Sequence, residues 1–179
     1  SLANLRKTPD DVIAEFARIR AARDAAGAKT LLEGGIGTAF GCTIQGEVKA
    51  DEVLRCMRGL LDAGADRVSL ADTVGYAGPG EVAALFERAR AIAGERLWCA
   101  HFHDTRGLAL ANAYAAWQAG IRRFDATLGG IGGCPHAPGA SGNAATEDLA
   151  FMLAGMGAST GLDLPRLLAL RERVAGWLA

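Results

Sequence analysis

Apolar positions along this chain alternate between short runs and longer stretches with helical spacing. Thr8-Pro9-Asp10-Asp11 sets a capping hydroxyl, a proline at the first helical position and an acid at the third. A helix is therefore expected to start there and run to Gly27. Lys29 to Glu33 reads as a strand, Glu47 to Ala63 as a helix stopped by Gly64, and Arg67 to Asp72 as the next strand. Pro79-Gly80-Glu81 opens a helix to about Ala93, Leu97 to Ala100 enters a strand, and Leu108 to Ala119 is helical up to Gly120. Arg123 to Leu128 reads as a further strand, and Thr146 to Gly155 and Leu164 to Leu178 as closing helices.

The order is one helix followed by strand-helix units of roughly thirty residues, a period that marks parallel βα architecture. The fold class is α/β. Four units suit either an open parallel sheet or half of a (β/α)8 barrel, since a whole barrel takes about 250 residues and this chain has 179. The leading helix also lacks a strand before it. In the half-barrel reading residues 1–179 are a single partial domain whose N-terminal half is missing.

Composition narrows the classes of partner. Half of the residues are hydrophobic, 22% are charged and the net charge is −1, so neither nucleic acid nor an anionic membrane is expected as a partner. The most apolar run, Leu108 to Trp117, is broken by Asn112 and is too short to span a bilayer. Cys42, Cys56, Cys99 and Cys134 stand singly, without C-x-x-C spacing or a signal peptide. A disulfide framework is not expected, and a reducing cytoplasm is.

The candidate chemistry falls at strand ends, where barrel enzymes place their active sites. His101-Phe102-His103-Asp104 follows one strand, and alternation along the strand turns His101 and His103 to the same face, where they can share a cation or form a solvated polar rim. Asp104 can orient an imidazole or cap the following helix. Cys134 follows Gly129-Gly130-Ile131-Gly132-Gly133, a stretch of wide backbone freedom, and reads either as a small apolar plug or as a reactive thiol. G-x-G-x-x-G and G-K-[ST] are absent, which argues against a nucleotide loop. Asp72 ends another strand and can act as a base, as an outer ligand or as a turn cap, while Asn143 can be a helix N-cap or an amide-oxygen ligand.

Asp72-Thr73-Val74-Gly75, His101-Phe102-His103-Asp104-Thr105 and, above all, the run from Gly132 to Asn143 with Ala145-Thr146-Glu147-Asp148-Leu149 resemble the 3-hydroxy-3-methylglutaryl-CoA lyase family. The resemblance covers essentially the whole chain as the second half of that family's TIM barrel. It implies a divalent cation, Mg²⁺ or Mn²⁺, with His101, His103 and Asn143 as ligands. It further implies Cys134 as the reactive cysteine of the loop over substrate, Asp72 in acid-base work and Glu147 as a support behind the site. The implied reaction cleaves an acyl-CoA to acetyl-CoA and a 3-oxoacid, with His101 or Asp72 taking the hydroxyl proton.

Two departures accompany the resemblance. The family's first strand carries an Asp-Arg-Glu segment that completes the cation shell and stabilises the enolate, and no such segment occurs here. Little activity is therefore expected of this chain alone. The flanks of Gly41-Cys42 also differ from the best-known lyases, which leaves the acyl-CoA substrate open. The alternatives are a non-catalytic half-barrel or binding module and a related acyl-CoA condensing enzyme. Unpaired strand edges favour homo-oligomerisation or pairing with an N-terminal half.

Overall fold

The structure is a computed structural model that describes residues 6–133 and 142–178. Helix α1 (Pro9–Ala25) starts as the sequence dictates: Thr8 Oγ1 accepts the Asp11 N–H at 3.1 Å and Asp11 Oδ2 accepts the Thr8 N–H at 2.8 Å. Strand β1 (Glu33–Ile36) leads to α2 (Ala50–Asp62), β2 (Arg67–Asp72) to α3 (Pro79–Ala93), and β3 (Leu97–Phe102) to α4 (Ala109–Gln118). Strand β4 (Phe124–Asp125) is followed by α5 (Thr146–Gly155) and α6 (Leu164–Leu178). Gly64 and Gly120 stop α2 and α4 with φ of +92° and +95°.

The four strands pair in sequence order, each parallel to the next. Val68, Leu70 and Asp72 of β2 are buried while Arg67, Ser69 and Ala71 between them are only half-buried. One face of the sheet is thus covered by helices and the other is only partly covered. Sequential parallel order with one helix-covered face is the arrangement of consecutive units in a (β/α)8 barrel, and four strands are half of one. The half-barrel expectation holds over the open-sheet alternative.

Two strands differ from expectation. Lys29 to Glu33 was the expected first strand, but pairing begins at Glu33 and runs through Gly34 and Gly35. The earlier segment is tied down by side chains instead: Asp66 Oδ2 accepts the Leu32 N–H at 2.8 Å, and Arg23 Nη1 donates to the Thr30 carbonyl at 3.0 Å. At Gly34 a Cβ would lie 3.0 Å from Leu60 Cδ1, so the close seat of α2 on β1 uses a residue with no hydrophobic signal. The last strand was expected from Arg123 to Leu128. It is two residues long, Phe124–Asp125, and the chain turns further on at Gly129, which has φ +65° and ψ +13°.

The core lies between the sheet and α2 to α5. Phe40, Phe86 and Phe102 form a cluster with ring centroids 6.2 to 6.5 Å apart, and Phe86 and Met57 are fully buried. Across the strand starts, Trp98 meets two guanidinium groups, Arg67 at 3.9 Å from the ring centroid and Arg123 at 3.3 Å from it. Phe86→Ala is expected to lower unfolding free energy by about 3–5 kcal/mol. Urea denaturation checks this, and a loss below about 1 kcal/mol would show that the aromatic cluster is not the centre of the core.

Candidate active site

Parallel strands bring every following loop to one rim, and the sequence motifs meet there. The His103 N–H donates to the Asp72 carbonyl at 3.2 Å. Beyond the end of β3 the chain acquires a new neighbour: the Ala144 N–H donates to the Phe102 carbonyl and the Asp104 N–H to the Gly142 carbonyl, both at 3.0 Å. His103 and Asn143 face each other in an isolated antiparallel bridge.

The two imidazoles are neighbours, with ring centroids 5.1 Å apart. His103 is 4% exposed, and its Nδ1 is buried with no hydrogen-bond partner among the described residues. That excludes the solvated-rim reading for this ring. His101 is half-buried, with Nδ1 3.7 Å from Asp125 Oδ2. Burial pushes the His101 pKa below the ordinary 6.5, His103 adds to the shift, and Asp125 and Asp72 oppose it.

Asn143 does not cap α5, whose N-cap position is Ala145. Its Nδ2 donates to the Ile131 carbonyl at 2.9 Å, which assigns the amide orientation and turns Oδ1 away from that carbonyl. At Gly132, with φ +126°, a Cβ would fall 2.5 Å from Asn143 Nδ2, so the approach of this turn to Asn143 requires glycine.

Asp72 is fully buried, and its Oδ1 and Oδ2 accept the N–H groups of Tyr76 and Ala77, each at 2.9 Å. The carboxylate thereby holds the turn into α3. The following Gly75 (φ +68°) touches Thr105, where a Cβ would lie 2.5 Å from Oγ1, and Arg106 Nη1 donates to the Gly75 carbonyl at 2.7 Å. The Asp72 and His101 motifs are therefore one interlocked rim. Asp104 was expected to cap α4 from its immediate start, but the N-cap position of that helix is Leu108; Asp104 Oδ1 instead accepts the Ala109 N–H at 2.9 Å from five residues upstream.

Glu147 is 1% exposed, accepts the Gly129 N–H on both oxygens at 3.1 Å, and pairs with Arg171 Nε at 3.0 Å. Cys134 lies outside the described residues. Cys42 and Cys99 are buried and Cys56 is half-buried, all as free thiols. Burial and Asp125 push Cys99 up to about 12, and burial also raises Cys56, so both remain protonated at neutral pH. Asp125 and Arg171 escaped sequence reasoning: each is one polar residue in an ordinary element, and only the fold puts it beside His101 or Glu147.

Among the described residues no three or more His, Cys, Asp or Glu side chains converge as a metal set. The unpartnered His103 nitrogen, the adjacent His101 ring and the amide of Asn143 nevertheless fit part of a shell for a divalent cation. No helix among the described residues is long and apolar enough to cross a membrane.

The chain belongs to the HMGL-like family, whose profile matches residues 2–174. It is 43% identical over 180 residues to (R)-citramalyl-CoA lyase of Chloroflexus aurantiacus, covering 99% of this chain and 54% of that protein. It is 39% identical over 176 residues to hydroxymethylglutaryl-CoA lyase of Pseudomonas mevalonii, covering 98% of this chain and 58% of that one. A solved structure of an HMG-CoA lyase from Acinetobacter baumannii, in complex with coenzyme A and 3-methylmalate, superposes with a TM-score of 0.90 at 40% identity. That match covers 98% of this chain and 56% of the other. The chain spans about half the length of the curated relatives it matches.

Two expectations follow from the rim. A proton NMR titration of the metal-free chain should give a His101 pKa below 6.5. Because the unfolded chain binds the extra proton first, the stability from burying neutral His101 is full above 6.5 and is lost as pH falls toward the lowered value. A pKa above 6.5 would mean that Asp125 dominates. Asp72→Ala, which leaves the Tyr76 and Ala77 N–H groups unpaired, should cost about 2–4 kcal/mol in denaturant unfolding, and an unchanged midpoint would remove the turn-holding role.

Proposed function

We propose that this chain forms the C-terminal half of a divalent-metal-assisted carbon–carbon lyase that cleaves a 3-hydroxy-3-methylglutaryl-CoA-like thioester. The observation that carries the reading is the juxtaposition of His101, His103 and Asn143, with a buried His103 nitrogen that lacks a partner among the described residues. The relatives named (R)-citramalyl-CoA lyase and hydroxymethylglutaryl-CoA lyase support the same class.

His101, His103 and Asn143 would hold Mg²⁺ or Mn²⁺. Once bound, such a cation supplies Lewis acidity and orientation to the substrate oxygens. The base that takes the tertiary hydroxyl proton is Asp72 or His101, the latter only while its accepting nitrogen is not engaged by the cation, since a neutral imidazole has a single acceptor nitrogen. As that proton leaves, the hydroxyl oxygen forms a carbonyl, the bond between C2 and C3 breaks, and its electron pair passes to the thioester enolate. A proton delivered to the enolate carbon, with Cys134 as the relay implied by family resemblance, completes acetyl-CoA and releases acetoacetate. Asp72, with both oxygens engaged by backbone N–H groups, supports the rim that positions His101 and His103.

A closed barrel needs four more strands. The reading assigns these to polypeptide outside the 179 residues, together with the Asp-Arg-Glu segment of the family's first strand. Homo-oligomerisation of the half-barrel is the competing way to cover its open edges.

The test is reconstitution. The chain with Mn²⁺ and 3-hydroxy-3-methylglutaryl-CoA should form little acetoacetate alone and turn over when an N-terminal half barrel from a homologous lyase is added. His103→Ala should then lower the rate by about 100-fold or more, and Cys134→Ala should also lower it. A silent reconstituted pair, or Cys134→Ala without effect, rejects the lyase mechanism. Running citramalyl-CoA in parallel, with a 2-oxoacid as product, reads out substrate preference.

A further inference from the structure

The Glu147 carboxylate is 1% exposed, and its described partners are one backbone N–H and one cation. The N–H belongs to Gly129, whose positive φ starts the turn that ends β4. The cation is Arg171, which comes from the last helix and is half exposed. Its Nε and Cγ also lie 3.7 and 3.9 Å from the place a Gly129 Cβ would occupy, so the arginine stem packs on the same turn that its head group anchors.

The turn leads directly to the candidate ligand. Two residues past Gly129, the Ile131 carbonyl accepts Asn143 Nδ2 at 2.9 Å and Thr127 Oγ1 at 2.6 Å. An unbroken polar path therefore runs from Arg171 to Glu147, to the Gly129 N–H, through the turn to the Ile131 carbonyl and on to the Asn143 amide. Without Arg171 the buried Glu147 carboxylate would keep one described donor, the Gly129 N–H, and lose the contact that holds its head group in place. The carboxylate would then be free to move toward water, which loosens its hold on Gly129.

We propose that Arg171 is a positioning residue: acting through Glu147 and the Gly129–Ile131 turn, it fixes the amide orientation of Asn143. This rests on the reading of Asn143 as a cation ligand. The last helix, which contributes no buried residue of its own, thereby gains a role in setting the rim.

The experiment compares the full chain with Arg171→Met, Arg171→Lys and Glu147→Gln. Amide hydrogen exchange at Gly129 and the Asn143 side-chain NH₂ resonances are read by ¹⁵N NMR, and Mn²⁺ affinity is read by electron paramagnetic resonance. Arg171→Met should speed Gly129 exchange roughly tenfold or more, shift the Asn143 side-chain resonances, and leave exchange in β2 and β3 unchanged. Arg171→Lys, which keeps the charge, should restore most of the protection, and Glu147→Gln should resemble Arg171→Met. Mn²⁺ binding should weaken severalfold in Arg171→Met. Unchanged Gly129 exchange, or a Lys variant as disturbed as the Met variant with protection lost throughout the sheet, overturns the positioning role. Absence of Mn²⁺ binding in the unaltered chain with Gly129 responding as described would instead reject Asn143 as a ligand.

Discussion

The site depends on one short piece of backbone pairing past the end of β3. Residues 142–144 lie along that end, joined by the Ala144 N–H to the Phe102 carbonyl and the Asp104 N–H to the Gly142 carbonyl. Those two hydrogen bonds bring Asn143 opposite His103 across some forty residues of sequence that include a whole helix. Local propensity could not do this. It requires β4 to stop after two residues, so that the chain can leave the sheet, turn at Gly129 and return beside β3.

The same rim shows how buried polar groups are tolerated. Asp72 is fully buried at the end of β2, yet each oxygen receives a backbone N–H, so its charge stabilises the turn into α3 instead of standing alone. Glu147 is treated alike by Gly129 and Arg171. His103 is the contrast. Its buried Nδ1 has no hydrogen-bond partner among the described residues, and that unpartnered nitrogen is the observation behind the proposed cation site. Asp72 and Glu147 are thus each held by described donors, while His103 Nδ1 is held by none.

Much of this architecture was legible in the residues. Arg67 to Asp72, Pro79 to Ala93 and the two closing helices form where alternation and capping place them, since their patterns are uninterrupted. The first strand was misplaced because Leu31 and Leu32 carry the hydrophobic signal, whereas the pairing falls on Gly34 and Gly35, and Leu31 is exposed. Glycine there is a packing requirement of Leu60, which no local pattern reveals. Within the site, the H-x-H step announces itself through strand alternation, and Asn143 was legible through family resemblance. Asp125 and Arg171 had no local signature. Their partners lie 24 residues away in both cases, so only tertiary placement discloses them.

The central claim is that His101, His103 and Asn143 are parts of one cation site. Titrating substoichiometric Mn²⁺ into the ¹⁵N-labelled chain tests it most directly, because the paramagnetic ion broadens the nuclei nearest to it. The account expects the imidazole resonances of His101 and His103 and the side-chain amide of Asn143 to broaden first and together, with excess Mg²⁺ reversing the effect. Broadening confined to surface acids such as Asp10 and Asp51, with both histidines sharp, would contradict it.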